Sequence, residues 1–254
     1  MERGIAPELH VHPDLGAATS ALARHLRTRS LRAVRARGRF SWVLAGGHTP
    51  ERLYRHLATR YRDRLPWAET EVFFGDERCV GPRHSESNYA MARAALLARV
   101  PIPRASIHRL RGELRPPSRA AVEYARLLGA GVVRGASTPL FDVVLLGLGP
   151  DGHTASLFPG APALRERDRS VVPVLRSGRP PYVPRLTMTL PALNSSREAI
   201  FLVSGPDKSA AVAATFRALS RRNLRWPASL VRSNGVVRWF LDRDAAAELP
   251  AAMR

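Results

Sequence analysis

The sequence predicts an α/β protein built on a mostly parallel, doubly wound sheet. Three observations carry this. Strand-like apolar runs alternate with helical stretches over the whole length. The clearest run, Phe141 to Leu146, is apolar after Asp142, as a strand covered on both faces must be. Polar clusters rich in glycine follow three of the runs, where ligands bind in such folds.

In order, Asp14 is placed to cap a long first helix, with Leu15, Ala18, Leu22 and Leu26 on its apolar face. Phe40 to Ala45 reads as a buried strand broken by Gly46-Gly47, after which Thr49 caps a helix carrying Pro50 at its first position. Glu71 to Gly75 is a second strand, and Asn88 to Val100 is helical behind a cap at Ser85 or Ser87. Ile107 to Leu110 reads as a short strand and Arg119 to Leu128 as a helix. After Phe141 to Leu146, strands are expected at Val171 to Leu175, Arg185 to Leu190 and Ala199 to Ser204. A helix follows from Asp207 to Leu219, then a strand at Val236 to Leu241 and a closing helix at Arg243 to Leu249. The stretches at Arg115-Pro116-Pro117 and Arg179-Pro180-Pro181 read as surface loops, and residues 1–254 as a single domain.

Composition narrows the function. The 254 residues are 45% hydrophobic and 24% charged, as in ordinary globular proteins rather than disordered chains. No apolar run reaches about 18 residues, and Met1 to His12 lacks the pattern of a secretory leader. With Cys79 as the only cysteine, no internal disulfide can form, and a cytoplasmic location is expected. The net charge of +19 suggests a polyanion. Against that, all 40 basic residues but Lys208 are arginine, as a GC-rich coding sequence produces, and they are scattered. The expectation is therefore no nucleic-acid partner and no membrane, with a cationic field that concentrates a small anionic substrate.

Three strand ends carry the chemistry. In Ala45-Gly46-Gly47-His48-Thr49-Pro50 a glycine turn opens a helix, whose free N–H groups and dipole suit an anion, although glycines serve a plain tight turn equally well. It is no Walker loop, since no Gly-Lys-Ser/Thr follows. Gly147-Leu148-Gly149-Pro150-Asp151-Gly152 matches GxGxxG, yet Pro159-Gly160 stops any helix within two turns and the Val171-Val172 strand ends without an acid, so no dinucleotide site is expected. His153, beside Asp151 and Thr154 on this loop, can act as a general base near neutral pH; alone, a histidine here equally reads as a surface or capping residue. In Gly75-Asp76-Glu77-Arg78, Asp76 or Glu77 can orient a base or accept hydroxyls, and Arg78 can bind an oxyanion; the alternative is an internal ion pair that shapes the loop. Lys208, the lone lysine, and Arg185, which opens Arg-Leu-Thr-Met-Thr-Leu, suit a phosphate. There is no Gly-x-Ser-x-Gly elbow, no HExxH and no cysteine pair. A site without metal or cofactor is expected.

Taken together, LAGGHTP (44–50), FFGDERCVGPRHSESNYAMARAALL (73–97), DVVLLGLGPDGHTASLFPG (142–160), RLTMTLPALNSSREAIFLVSGPDKSAAV (185–212) and VVRWFLD resemble the glucosamine-6-phosphate isomerase/6-phosphogluconolactonase family, from about Leu9 to Asp244. The deaminase members usually read AFNEP after Asp-Gly-His, whereas Thr154 to Pro159 here is the lactonase pattern. The resemblance implies a Rossmann-like fold shared with glucosamine-6-phosphate deaminase. It implies a carboxylic ester hydrolase that opens 6-phospho-D-glucono-1,5-lactone in the pentose phosphate pathway without a cofactor. On it rests an assignment of roles: Gly46, Gly47, His48, Thr49, Arg185 and Lys208 on the phosphate; His153 activating water; Asp76 on sugar hydroxyls or the water; Arg78 near the oxyanion; and Asp151 shaping the loop that aims His153. The chain is expected to work as a monomer. Two rivals remain: an aminosugar-phosphate deaminase or isomerase, and a polyanion binder. Ala45 and His48 stand where the family often has serines, so hydroxyl contacts do not carry over there, and Gly81 replaces a common proline.

Overall fold

The computed structural model describes residues 6–129, 140–219 and 223–253; residues 1–5, part of the stretch weighed as a leader, lie outside them. Six strands form the main sheet: β1 (Glu8–His12), β2 (Phe40–Leu44), β3 (Thr70–Phe74), β5 (Val143–Leu146), β8 (Glu198–Val203) and β9 (Val236–Asp242). Their order is β1-β9-β8-β5-β2-β3, and every pairing is parallel. All residues of β2, β5 and β8 are buried, which is why these runs read as continuously apolar. Helix α1 (Leu15–Arg37) starts as expected, with Asp14 accepting from the Ala17 N–H at 2.8 Å, and ends on Gly38 in the left-handed conformation.

Two strands expected to extend the sheet do something else, joined by a third at residues 76–78 that the sequence reading did not predict. β4 (Asp76–Arg78), β7 (Arg185–Met188) and β6 (Val171–Val174) form a separate antiparallel sheet in the order β4-β7-β6. Gly75 divides β3 from β4: its N–H still bonds Leu44 of the large sheet while its carbonyl accepts from Met188 of the small one. The predicted 107–110 strand is a single bridge from Ile107 to Val72. The 88–100 helix is α3 (Asn88–Ala92) followed by a π turn over Arg93–Leu97, with Ser87 as its cap. Helix α4 (Pro117–Leu128) takes Pro117 from the supposed surface loop as its first residue. Short α5 is Leu190–Asn194, and a 3₁₀ turn at Pro206–Lys208 precedes α6 (Ser209–Ala218). The closing helix is absent: residues 243–248 form turns, anchored by the Ala245 N–H on Asp242 Oδ1 at 2.8 Å.

Helix α2 is His48–Arg60. Its cap is Gly47, at φ 101°, and Thr49, read from the sequence as the cap, lies inside the first turn. A residue with a Cβ is strained at that φ, so glycine at 47 lets the chain turn from strand to helix in so few residues.

Connections leave β2 and β5 toward opposite sides of the sheet, to β3 and to β8. The crevice between these two carboxyl ends is therefore the topological switch point. Both glycine loops empty into it.

Candidate active site

A cavity of about 550 Å³ lies at that crevice, roofed on one side by the small sheet. Its lining includes Gly46, Gly47, His48 and Thr49 after β2, Asp76 and Arg78 of β4, His153 after β5, Arg185 of β7 and Lys208 after β8. Of the ten residues assigned roles from the sequence, only Asp151 is absent from the wall; it stands behind His153.

His153 is held from one side. Its Nδ1 lies 2.5 Å from Asp151 Oδ1. A carboxylate there fixes the ring proton on Nδ1 and leaves the lone pair on Nε2. Burial pushes the Asp151 carboxyl up, but the hydrogen bond and charge of His153, with two backbone N–H groups, outweigh it and hold the group down at about 2. The Gly149 N–H bonds the His153 carbonyl at 2.8 Å, closing the loop on itself. Ala155, on the same wall, sits at φ 48°, a left-handed conformation uncommon for a residue with a side chain.

Cations line the opposite wall. Arg78 and Arg185 face each other directly across the β4–β7 pair. Arg185 is 4% exposed and has no carboxylate within 4 Å among the described residues; its Nη2 donates to the carbonyls of Arg179, Pro180 and Pro181 at 3.2–3.3 Å. Burial pulls its pKa down, Asp76 opposes this and Arg78 adds to it. The guanidinium lies 5.4 Å over the Phe158 ring, whose other neighbour, at 4.7 Å, is the His153 imidazole. Phe158 thus spaces base and arginine. Among the described residues, Lys208 Nζ pairs only with the exposed Asp207, at 3.1 Å. Asp242, at the end of β9, accepts from Ser204 and from the Gly205 N–H, which ties down the loop before Lys208.

The glycine loop adds N–H groups. Those of His48 and Thr49 bond to nothing among the described residues and open the helix. Tyr54 anchors the base of this loop, its hydroxyl donating to the Ala45 carbonyl at 2.8 Å and accepting from the Ala45 N–H at 3.0 Å. The His48 side chain is fully exposed, 3.8 Å from Glu51, so the backbone rather than the imidazole serves the cavity floor.

The two acids of Gly75-Asp76-Glu77-Arg78 separate. Asp76 accepts from Ser156 Oγ at 2.6 Å and from Asn88 Nδ2 at 3.1 Å, and has acceptor capacity left facing the cavity. Glu77 does not line it. Buried, with its pKa pushed up by burial, it accepts from the N–H groups of Arg78, Asn88 and Tyr89 and from Ser87 Oγ, so it shapes the loop. Ser87 is the helix cap, as expected.

Sequence reading missed Asn88. Its Nδ2 donates to two Asp76 oxygens, which fixes the amide orientation and turns Oδ1 away from them. That Oδ1, with Arg78 Nε, Thr154 Oγ1 and Arg185 Nε, is buried without a partner among the described residues, and all four residues line the cavity. Buried polar groups are satisfied in folded proteins, so four orphans around one cavity mark a place for a polar ligand. It must offer donors to Asp76 and Asn88 and negative charge to the arginines and Lys208. Pro180, read as part of a surface loop, belongs to this wall. Among the described residues, no group of three or more His, Cys, Asp or Glu able to hold a metal occurs, and no helix is long and apolar enough to cross a membrane.

Comparison with known proteins shows which family the chain resembles. The chain is 41% identical over 223 residues to a 6-phosphogluconolactonase from Synechocystis sp., covering 87% of this chain and 90% of that one. A solved 6-phosphogluconolactonase from Trypanosoma cruzi superposes with a TM-score of 0.84 at 28% identity, covering 98% of this chain and all of that one. A monomeric glucosamine-6-phosphate deaminase shares the fold, with a TM-score of 0.78 at 19% identity over 95% of this chain and 99% of that one. Residues 13–239 match the family described as glucosamine-6-phosphate isomerases/6-phosphogluconolactonase, and with the Pro-Asp-Gly-His loop, the two arginines and the lone lysine all meeting at one switch-point cavity, the chain belongs to that family.

Proposed function

We propose that the protein hydrolyses 6-phospho-D-glucono-1,5-lactone to 6-phospho-D-gluconate, as a monomer in the cytoplasm. The observation that carries this reading is the meeting of His153, Arg185 and Lys208 in one cavity, of a size usual for small-molecule sites. The reading requires one hexose phosphate to touch all three.

The phosphate is gripped by Lys208, Arg185 and the N–H groups at the start of α2. Asp76 and Asn88 Oδ1 accept the sugar hydroxyls. Nε2 of His153 takes a proton from water as its oxygen bonds to the lactone carbonyl carbon. The carbonyl electrons move onto oxygen, and the tetrahedral oxyanion is met by backbone N–H groups and Arg78. The carbonyl re-forms, the bond to the ring oxygen breaks, and His153 returns the proton to that oxygen. The product is an open-chain hydroxy acid, which ionises. Asp151 holds the imidazolium formed midway.

The test is lactone consumption coupled to oxidation of the product, corrected for spontaneous opening. The proposal expects a rate proportional to enzyme and well above the blank. Consumption no faster than the blank rejects it, and ammonia release from glucosamine 6-phosphate would assign the deaminase reaction instead.

A further inference from the structure

Asp151 makes a second ion pair that the mechanism leaves unused. While Oδ1 holds His153, Oδ2 lies 3.6 Å from the Nε of Arg179, which comes from the loop between β6 and β7. The same short loop is tied to the phosphate wall. The carbonyls of Arg179, Pro180 and Pro181 accept from Arg185, the Ser177 hydroxyl donates to the Arg179 carbonyl, and Gly178 lies against Phe158, where a Cβ would sit 3.4 Å from the ring. Arg179 itself is not part of the cavity lining.

A carboxylate held through one oxygen can still rotate about its terminal torsion, which is soft. Anchoring the other oxygen removes that freedom and fixes the direction in which Oδ1 meets Nδ1. We propose that Arg179 is a positioning residue for the His153–Asp151 pair: its guanidinium locks the carboxylate plane and offsets part of the negative charge that His153 meets. This rests on the lactonase reading only for its kinetic arm. The charged groups around His153 are Asp151 on its own loop, Arg179 from the β6–β7 loop, Arg185 from β7 across Phe158, and Asp76, Arg78 and Lys208 around the cavity. Among the described residues, only Arg179 pairs with the remaining oxygen of Asp151.

The experiment compares wild type, Arg179→Gln and Arg179→Lys. The His153 ring nitrogens are followed by ¹⁵N NMR against pH, with His153→Ala identifying the signals, and kcat and KM are measured over the same range. In Arg179→Gln, kcat should fall roughly tenfold with KM nearly unchanged. The ring titration and the acid limb of kcat/KM should both move to higher pH than in wild type, because the Asp151 charge is no longer offset. Arg179→Lys should restore most of both. A folded Arg179→Gln with unaltered kcat and midpoint overturns the proposal, as does a rise confined to KM, which would make Arg179 a substrate contact. The NMR arm needs no substrate. A shifted midpoint in a protein without lactonase activity would therefore sustain this inference while rejecting the reaction.

Discussion

At Gly149 the space for a side chain is already taken. A Cβ there would lie 2.0 Å from His153 Nδ1 and 2.8 Å from Asp151 Oδ1. Both groups are tethered, so neither can yield without breaking the pair. Gly149→Ala should therefore lower kcat about as far as His153→Ala, on the order of 10²–10⁴-fold, with the circular dichroism of the wild type. A variant that keeps nearly full kcat would show that the pose of the imidazole does not set the rate. For Lys208→Met, loss of a charge-assisted phosphate bond worth roughly 1.5–3 kcal/mol should lower kcat/KM about 10- to 150-fold. An unchanged value would make Lys208 a bystander. These residues were legible because each is chemically conspicuous, a histidine on a glycine loop and a single lysine among arginines. Asn88 was not, because an asparagine after a helix cap looks like any polar loop residue until Asp76 and Gly46 are brought against it.

Elements were legible where their pattern was local. α1 declared its cap and apolar stripe, and the buried strands their unbroken apolar runs. β1 was missed because an edge strand of five residues with only Leu9 and Val11 apolar resembles a loop, and its partner β9 lies at the far end of the chain. The small sheet was hidden for a related reason, since pairing direction is decided by partners distant in sequence, not by the run itself. The turn leading into β6 carries its own pH dependence. Glu166 accepts from the N–H groups of Arg167, Asp168 and Arg169 at 2.8–3.1 Å and from Arg169 Nε at 2.7 Å. Burial pushes this carboxyl up, but the Asp168 N–H and the Arg169 side chain and N–H outweigh it and hold it at about 2 against an ordinary 4.5. A depressed carboxyl contributes stability that is full above its ordinary value and is lost as pH falls toward the folded one. The Tm difference between wild type and Glu166→Gln should thus be constant above about pH 5 and shrink from there toward pH 2. A gap that persists at the acid end would contradict this account.

Over the whole molecule, the charge of +19 acts at long range on an anionic substrate. kcat/KM should decline as salt is raised from about 0.01 to 0.5 M, as the screening length shortens from about 30 Å to a few ångströms. A salt-independent kcat/KM would confine electrostatics to the cavity wall. The walls facing each other across the switch point have a further effect. Ring opening turns an uncharged ester into a carboxylate, so the molecule that must leave Arg78, Arg185 and Lys208 carries one more negative charge than the one that entered. Under the proposed reaction, 6-phospho-D-gluconate should therefore compete with the next lactone for the same cations, and product inhibition competitive with substrate is the measurement that checks this.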